Sequence, residues 1–233
     1  LSYSKPVGSY LHQECDELVE DDVQFIAKAL KLSPQQVGTP LINLSHSVIT
    51  ERTKTLQLAD YSQALQDHVA RFDSELQLIE APPTFAEGSL FNLSTQQMSE
   101  TLNAPILLVI RYHSLLVLDQ VLAAQKQLRD KLLGVVINDV PPEAETEISD
   151  EVKPFLEKQG VPVLGILPQS ALLHSVSVRE LTKQLSADVL CREDRLDLMV
   201  ERLTIGAMNV NSALKYFRKG KNLAVVTGGD RSD

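Results

Sequence analysis

The groups in this chain whose types and spacing suit chemistry are Lys5, Glu80, the pair Asn138-Asp139, and the run Thr227-Gly-Gly-Asp-Arg-Ser-Asp233. Lys5 stands in Lys5-Pro-Val-Gly8, behind residues that read as a strand tail and a turn. An ammonium at a strand's carboxyl end can meet a phosphate or a carboxylate, because ligands of open α/β sheets gather there. A solvated lysine beside a proline turn is the plainer alternative. Glu80 closes the apolar run Leu76-Gln-Leu-Ile79 and suits a metal, metal-phosphate or substrate contact. Its sequel Ala81-Pro82-Pro83 removes two backbone donors that an anion would use, so a strand-capping acid competes with that role.

Asn138-Asp139 follows the run Gly134-Val-Val-Ile137. A side-chain amide offers a paired donor and acceptor for a purine edge, and the following acid adds an acceptor. The same dipeptide before Pro141-Pro142 is also an ordinary turn. Pro168, after Val163-Leu-Gly-Ile-Leu167, can press its ring on a base. In the last run Gly228 and Gly229 can expose N–H groups and Arg231 and Ser232 add donors, while Asp230 and Asp233 favour an anion that brings a bridging cation. A tight turn kept for packing explains that run equally well.

Other constellations argue against specific chemistries. Arg111-Tyr-His-Ser114 leaves a strand and can form a small polar pocket, but no second His or Cys sits at zinc-ligand spacing. Ser45-His46-Ser47 and His113-Ser114 are sequence neighbours without a Gly-x-Ser-x-Gly elbow, which weighs against a hydrolase triad. Nowhere does G-x-x-x-x-G-K-[ST] occur, so no segment here reads as a phosphate loop.

To position these groups, the sequence alternates short apolar runs with helix-periodic charged stretches, the pattern of a mostly parallel sheet flanked by helices on both faces. Strands are expected at 76–79, 105–111, 133–137, 162–166 and 223–227, and helices at 20–30, 51–72, 95–102, 116–131 and 147–159, the first two open to interruption by a turn. Residues 33–40 and 141–145 read as loops, and Ser94 with Gln97 as a capping box. After Pro168 the character changes, with a helix over 175–185. The expected units are 1–175 and 176–233, and both ends read as cut: the first strand and phosphate loop lie outside the chain, and the last strand stops without a covering helix.

Lys and Arg total 22 against 31 Asp and Glu, a net charge of -9, which makes a nucleic-acid backbone a poor partner. Cys15 and Cys191 are too few for a disulfide framework. No apolar stretch approaches a membrane span and no signal peptide is evident, so a cytoplasmic protein that neither enters a membrane nor binds nucleic acid is expected.

With these residues in view, the chain resembles a two-part arrangement. Residues 1 to about 170 are similar to the dethiobiotin synthetase-like P-loop domain in the amino-terminal part of some phosphotransacetylases. The similarity lies in Lys5-Pro-Val-Gly8, Glu80, Glu87-Gly-Ser-Leu-Phe91, Arg111 to Leu115, Gly134 to Pro141 and Val163 to Pro168. From about 175 onward the chain resembles the start of a DRTGG domain, through Leu203 to Met208, Ala213 to Phe217 and Val226 to Asp233. The resemblance implies ATP and Mg as cofactors, Lys5 near phosphate and substrate, Glu80 as the strand-end glutamate, Asn138 reading adenine and Pro168 beside the base. Against the family pattern, the phosphate loop is absent and Glu-Gly-Gly/Ala-Gly is replaced by Glu80-Ala-Pro-Pro83. The expectation is a nucleotide-related regulatory or assembly protein of weak or degenerate catalysis. The alternative is an ATP- and Mg-dependent carboxylate-activating synthetase. A homo-oligomer is expected, with a regulatory protein or a small anionic ligand as partner.

Overall fold

The structure is a computed structural model that describes residues 1–8, 11–14, 17–170, 172–206 and 220–228. In chain order its first part runs β1 (Ser2–Ser4), β2 (Val7–Gly8), β3 (Leu11–Glu14), β4 (Glu17–Glu20), α1 (Asp21–Ala29), β5 (Val37–Gly38), β6 (Ile42–Asn43), α2 (His46–Lys54), α3 (Ser62–Ala70), β7 (Gln77–Ile79) and α4 (Thr95–Leu102). There follow β8 (Ile106–Arg111), α5 (Val117–Leu128), β9 (Leu132–Val140), α6 (Glu145–Glu147), α7 (Lys153–Lys158) and β10 (Val163–Pro168). The last stretch holds β11 (Val176–Ser177), α8 (Val178–Leu185), β12 (Met199–Val200), β13 (Arg202–Ile205) and β14 (Leu223–Val226).

Two parallel three-stranded sheets organise the first part, in the orders β5-β1-β7 and β10-β9-β8. In the first, β1 pairs with β5 and β7, with Ser4 opposite Gly38 and Ile79. The chain goes from β1 to β5 on one side and returns to β7 on the other. Right-handed crossovers then place the intervening helices on opposite faces and make the carboxyl end of β1 a switch point, where ligands of such sheets bind. The second sheet adds its strands in one direction, so both crossover helices fall on one face. There Val117 and Val121 of α5 and Leu156 of α7 pack with Ile148 and Val152 on Val135 and Ile137. The opposite face presents Leu107, Val109 and Leu164 to solvent. Helices on both faces were expected; around this sheet, among the described residues, they cover one.

All five expected strands exist, with β9 and β10 running past their expected ends to Val140 and Pro168. The helix expected over 51–72 is two helices, broken where Leu56 turns left-handed at φ 53° and Asp60 accepts from the Ser62 N–H at 2.9 Å. Residues 147–159 contain a π-helical turn, Ile148–Val152, before α7. The segment 33–40 is more than a loop: Ser33 and Gln36 cap a 3-10 turn, and Val37-Gly38 pairs with β1. Such two- and three-residue strands lack the length to show a period of two. The Ser94–Gln97 capping box is present, Ser94 Oγ accepting from Gln97 N–H at 3.4 Å.

Candidate functional site

β1 is buried along its whole length, so the residue after it is delivered into the interior at a strand's carboxyl end. That residue is Lys5, 2% exposed, which overturns the reading of it as a solvated lysine. Its Nζ donates to Glu20 Oε1 at 2.7 Å, contacts an Asp22 carboxylate oxygen, and lies 3.7 Å from Glu80 Oε1. The Tyr3 hydroxyl donates to the other Glu80 oxygen. Glu80 is fixed next to this cluster because its N–H donates to Ser4 O at 2.8 Å, extending the β1–β7 pairing by one residue.

Sequence reasoning placed Lys5 and Glu80 separately at strand ends, and the structure brings them together. It did not assign Glu20, Asp22 or Tyr3. The signal was the run Glu20-Asp21-Asp22, read as a helix start; acids in a first helical turn are already explained by the dipole. Close packing seals this corner. A Cβ on Gly8 would stand 2.1 Å from Asn43 Oδ1 and 3.0 Å from Glu20 Oε2, so a side chain there would have to displace the ends of both.

Among the described contacts one ammonium faces three carboxylates, a formal sum of -2. Burial pushes the Lys5 ammonium toward losing its proton, and its hydrogen bonds to Asp22 and Glu20 with the nearby negative charges outweigh it, so its pKa ends above the ordinary lysine value. For Tyr3, burial, the bond to Glu80 and the surrounding acids all favour the neutral phenol, which titrates well above its usual range. Glu20 is sealed, while the Asp22 and Glu80 side chains are 43% and 39% exposed and open to an incoming group. Among the described residues no group of three or more His, Cys, Asp or Glu has the arrangement of a metal site.

Asn138 and Asp139 lie near the carboxyl end of β9, beside Arg111 of β8. The Asn138 carbonyl accepts from the Tyr112 N–H at 2.7 Å, and its side-chain amide makes no hydrogen bond among the described residues. Asp139 accepts instead from Arg111 Nε and His174 Nε2, each at 2.7 Å. Pro168 ends β10, paired with Val140. Gly228 is exposed just past β14, whereas Gly229, Asp230 and Arg231, like Cys15, lie outside the described residues.

Residues 1–177 match the model of the AAA domain family, and residues 180–233 match that of the DRTGG domain. Among curated proteins the chain is similar to a phosphate acetyltransferase of Synechocystis sp., 35% identical over 149 residues, which are 61% of this chain and 21% of that protein. A phosphate acetyltransferase of Nitratidesulfovibrio vulgaris is 37% identical over 68 residues, 29% of this chain and 9% of that protein. The chain thus spans about a fifth or less of the length of these relatives. No solved structure matches. No described helix is long and apolar enough to cross a membrane. With the family model matching most of its length, the chain belongs to the AAA domain family and carries a DRTGG domain behind that part.

Proposed function

We propose that this chain is a nucleotide-related regulatory or assembly module with weak or degenerate catalysis, its DRTGG part sensing or assembling. The observation that carries this reading is the engagement of Lys5 by Glu20, Asp22 and Glu80. A lysine so neutralised offers little field to a bare phosphate, and the local negative excess calls for a cation to accompany any phosphate. Ala81-Pro82-Pro83 supports the same view, since two prolines after the acid supply no N–H.

A second reading is favoured by the open carboxylates of Asp22 and Glu80. Together they can hold Mg against a nucleotide, with Lys5 beside the transferred group, as an ATP-dependent carboxylate-activating synthetase of the dethiobiotin type requires. Asn138 reads the base and Pro168 lies against it in both readings, and the residues Gly228, Gly229, Asp230 and Arg231 are an anion contact of the DRTGG part. Similarity to phosphate acetyltransferases supports a role beside acetyl-group chemistry, and the protein works as a cytoplasmic homo-oligomer, without nucleic acid or membrane, answering to a regulatory protein or a small anionic ligand.

Calorimetric titration of ADP and ATP, with and without Mg, into the full-length gene product tests this. Binding that needs Mg and weakens about tenfold or more in Asn138→Ala is expected. Turnover of ATP at roughly 1 per second or faster would replace the regulatory reading with the synthetase.

A further inference from the structure

Away from Lys5, one polar cluster ties three parts of the chain together. Arg111 ends β8, Asp139 is next to last in β9, and His174 lies in the segment between β10 and β11. Arg111 Nε donates to Asp139 Oδ2 and His174 Nε2 to Oδ1, so each carboxylate oxygen has its own donor. The Asp139 side chain is 11% exposed, against 70% for Arg111. Its backbone is left-handed, φ 62°, a conformation that Asp tolerates better than most residues. The His174 bond, opposed by partial burial and helped by Arg111, holds the Asp139 carboxyl below the usual carboxylate range.

The main chain around the cluster is organised to present His174. Gln169 N–H donates to Val140 O at 2.7 Å, continuing the β9–β10 pairing. A turn then forms, with His174 N–H to Ser170 O at 3.3 Å and Ser175 N–H to Leu172 O at 3.2 Å. β11 begins at the next residue, Val176, and pairs with β12 of the second part. On the other side of Asp139 stands Asn138, whose amide is uncommitted among the described residues.

We propose that Asp139 is a latch: it fastens the segment Gln169–Ser175, and with it the start of the second part, to the strand ends beside Asn138, so that occupancy at Asn138 is coupled to the hold on that segment. Asn138 and Asp139, adjacent in sequence, thereby divide the work, one facing the ligand and the other the connection to the next domain. Asp139 acts through His174 and Arg111 and is a positioning residue. The coupling half rests on the nucleotide reading above; the latch itself does not.

Hydrogen–deuterium exchange on the full-length gene product tests both halves separately. Asp139→Asn keeps the shape and the tolerance for a left-handed backbone while removing the charge, and His174→Gln removes the opposite partner. Each variant should speed exchange over residues 169–177 by about 3- to 10-fold, with the interior amides of β9 and β10 unchanged. Exchange over 169–177 equal to the parent in both variants, or acceleration spread evenly through β9, overturns the latch. ADP with Mg is the probe for the second half. It should slow exchange over 169–177 in the parent and not in Asp139→Asn. If calorimetry on the same samples shows ADP bound and exchange does not respond, coupling is overturned. If ADP does not bind at all, the nucleotide reading and the coupling fall together while the variants still decide the latch.

Discussion

Lys5 shows how far residue type alone can mislead. From sequence it reads as a lysine beside a turn, yet it is sealed in the interior among three acids that are distant or ambiguous along the chain. Its partners come from β4, α1 and the residue after β7, and no local pattern announces that convergence. Removing one partner of a buried ion pair leaves charge without compensation, so Lys5→Met should lower unfolding free energy by about 3–5 kcal/mol at neutral pH. Glu20→Gln in the same chain should return part of that loss, because the two groups interact directly. Urea unfolding of the single and double variants measures it; strictly additive losses would show that the cluster is not one electrostatic unit. His68, away from that cluster, is a further buried titratable group, 2% exposed, accepting from Arg71 at Nδ1 and leaving Nε2 without a partner among the described residues. Burial, then the Arg71 charge, lowers its pKa below the ordinary 6.5. The unfolded chain therefore takes up a proton that the folded chain resists. Stability is expected to fall as pH drops from about 6.5 through the lowered folded value, and His68→Gln should flatten that slope. An equal slope in both proteins would remove His68 as its source.

At the scale of elements, long apolar strands were readable and short ones were not. Ile106 to Ile110 and Gly134 to Ile137 are aliphatic runs of strand length, while β1 is Ser-Tyr-Ser, polar by composition and buried by position. The helix expected over 51–72 was open to interruption because boundaries read from one sequence are loose, and the structure puts the break before Ser62, whose N–H and hydroxyl both donate to Asp60 Oδ1. Asp60 is held at about 2 by hydrogen bonds from Ser62 and then Asn92, so this break persists across ordinary pH. Inside β9, Gly134 has a packing role. A Cβ there would lie 2.7 Å from Pro162 O and 2.8 Å from Leu164 Cγ, and the carbonyl belongs to backbone held in the sheet. Gly134→Ala should cost about 1–3 kcal/mol, as overpacking does. Gly165→Ala, whose Cβ would meet Val136 at 3.7 Å, should stay within about 0.5 kcal/mol. Thermal unfolding of the pair checks the contrast, and equal shifts would mean that this close approach does not set the β9–β10 spacing.

For the molecule as a whole, the parallel sheet was legible and its one-sided cover was not, since alternating strands and helices do not reveal the order in which strands are laid down. Order β10-β9-β8 with right-handed crossovers forces α5 and α7 to one side. Parallel sheets are ordinarily covered on both faces, so Leu107, Val109 and Leu164, about half exposed at 49%, 58% and 54%, form a surface that water solvates poorly. The 233-residue chain should accordingly bind an apolar fluorescent dye while fully folded. Leu107→Lys with Val109→Lys should cut that fluorescence by at least about half. The unfolding midpoint should hardly move, because side chains already in water contribute little to stability. Retained fluorescence in the double variant would locate the dye elsewhere. A large loss of stability would show that these side chains are buried in solution, by self-association or by a segment closing over them, and sedimentation at two concentrations separates those two: a mass that rises with concentration marks a second copy on this face.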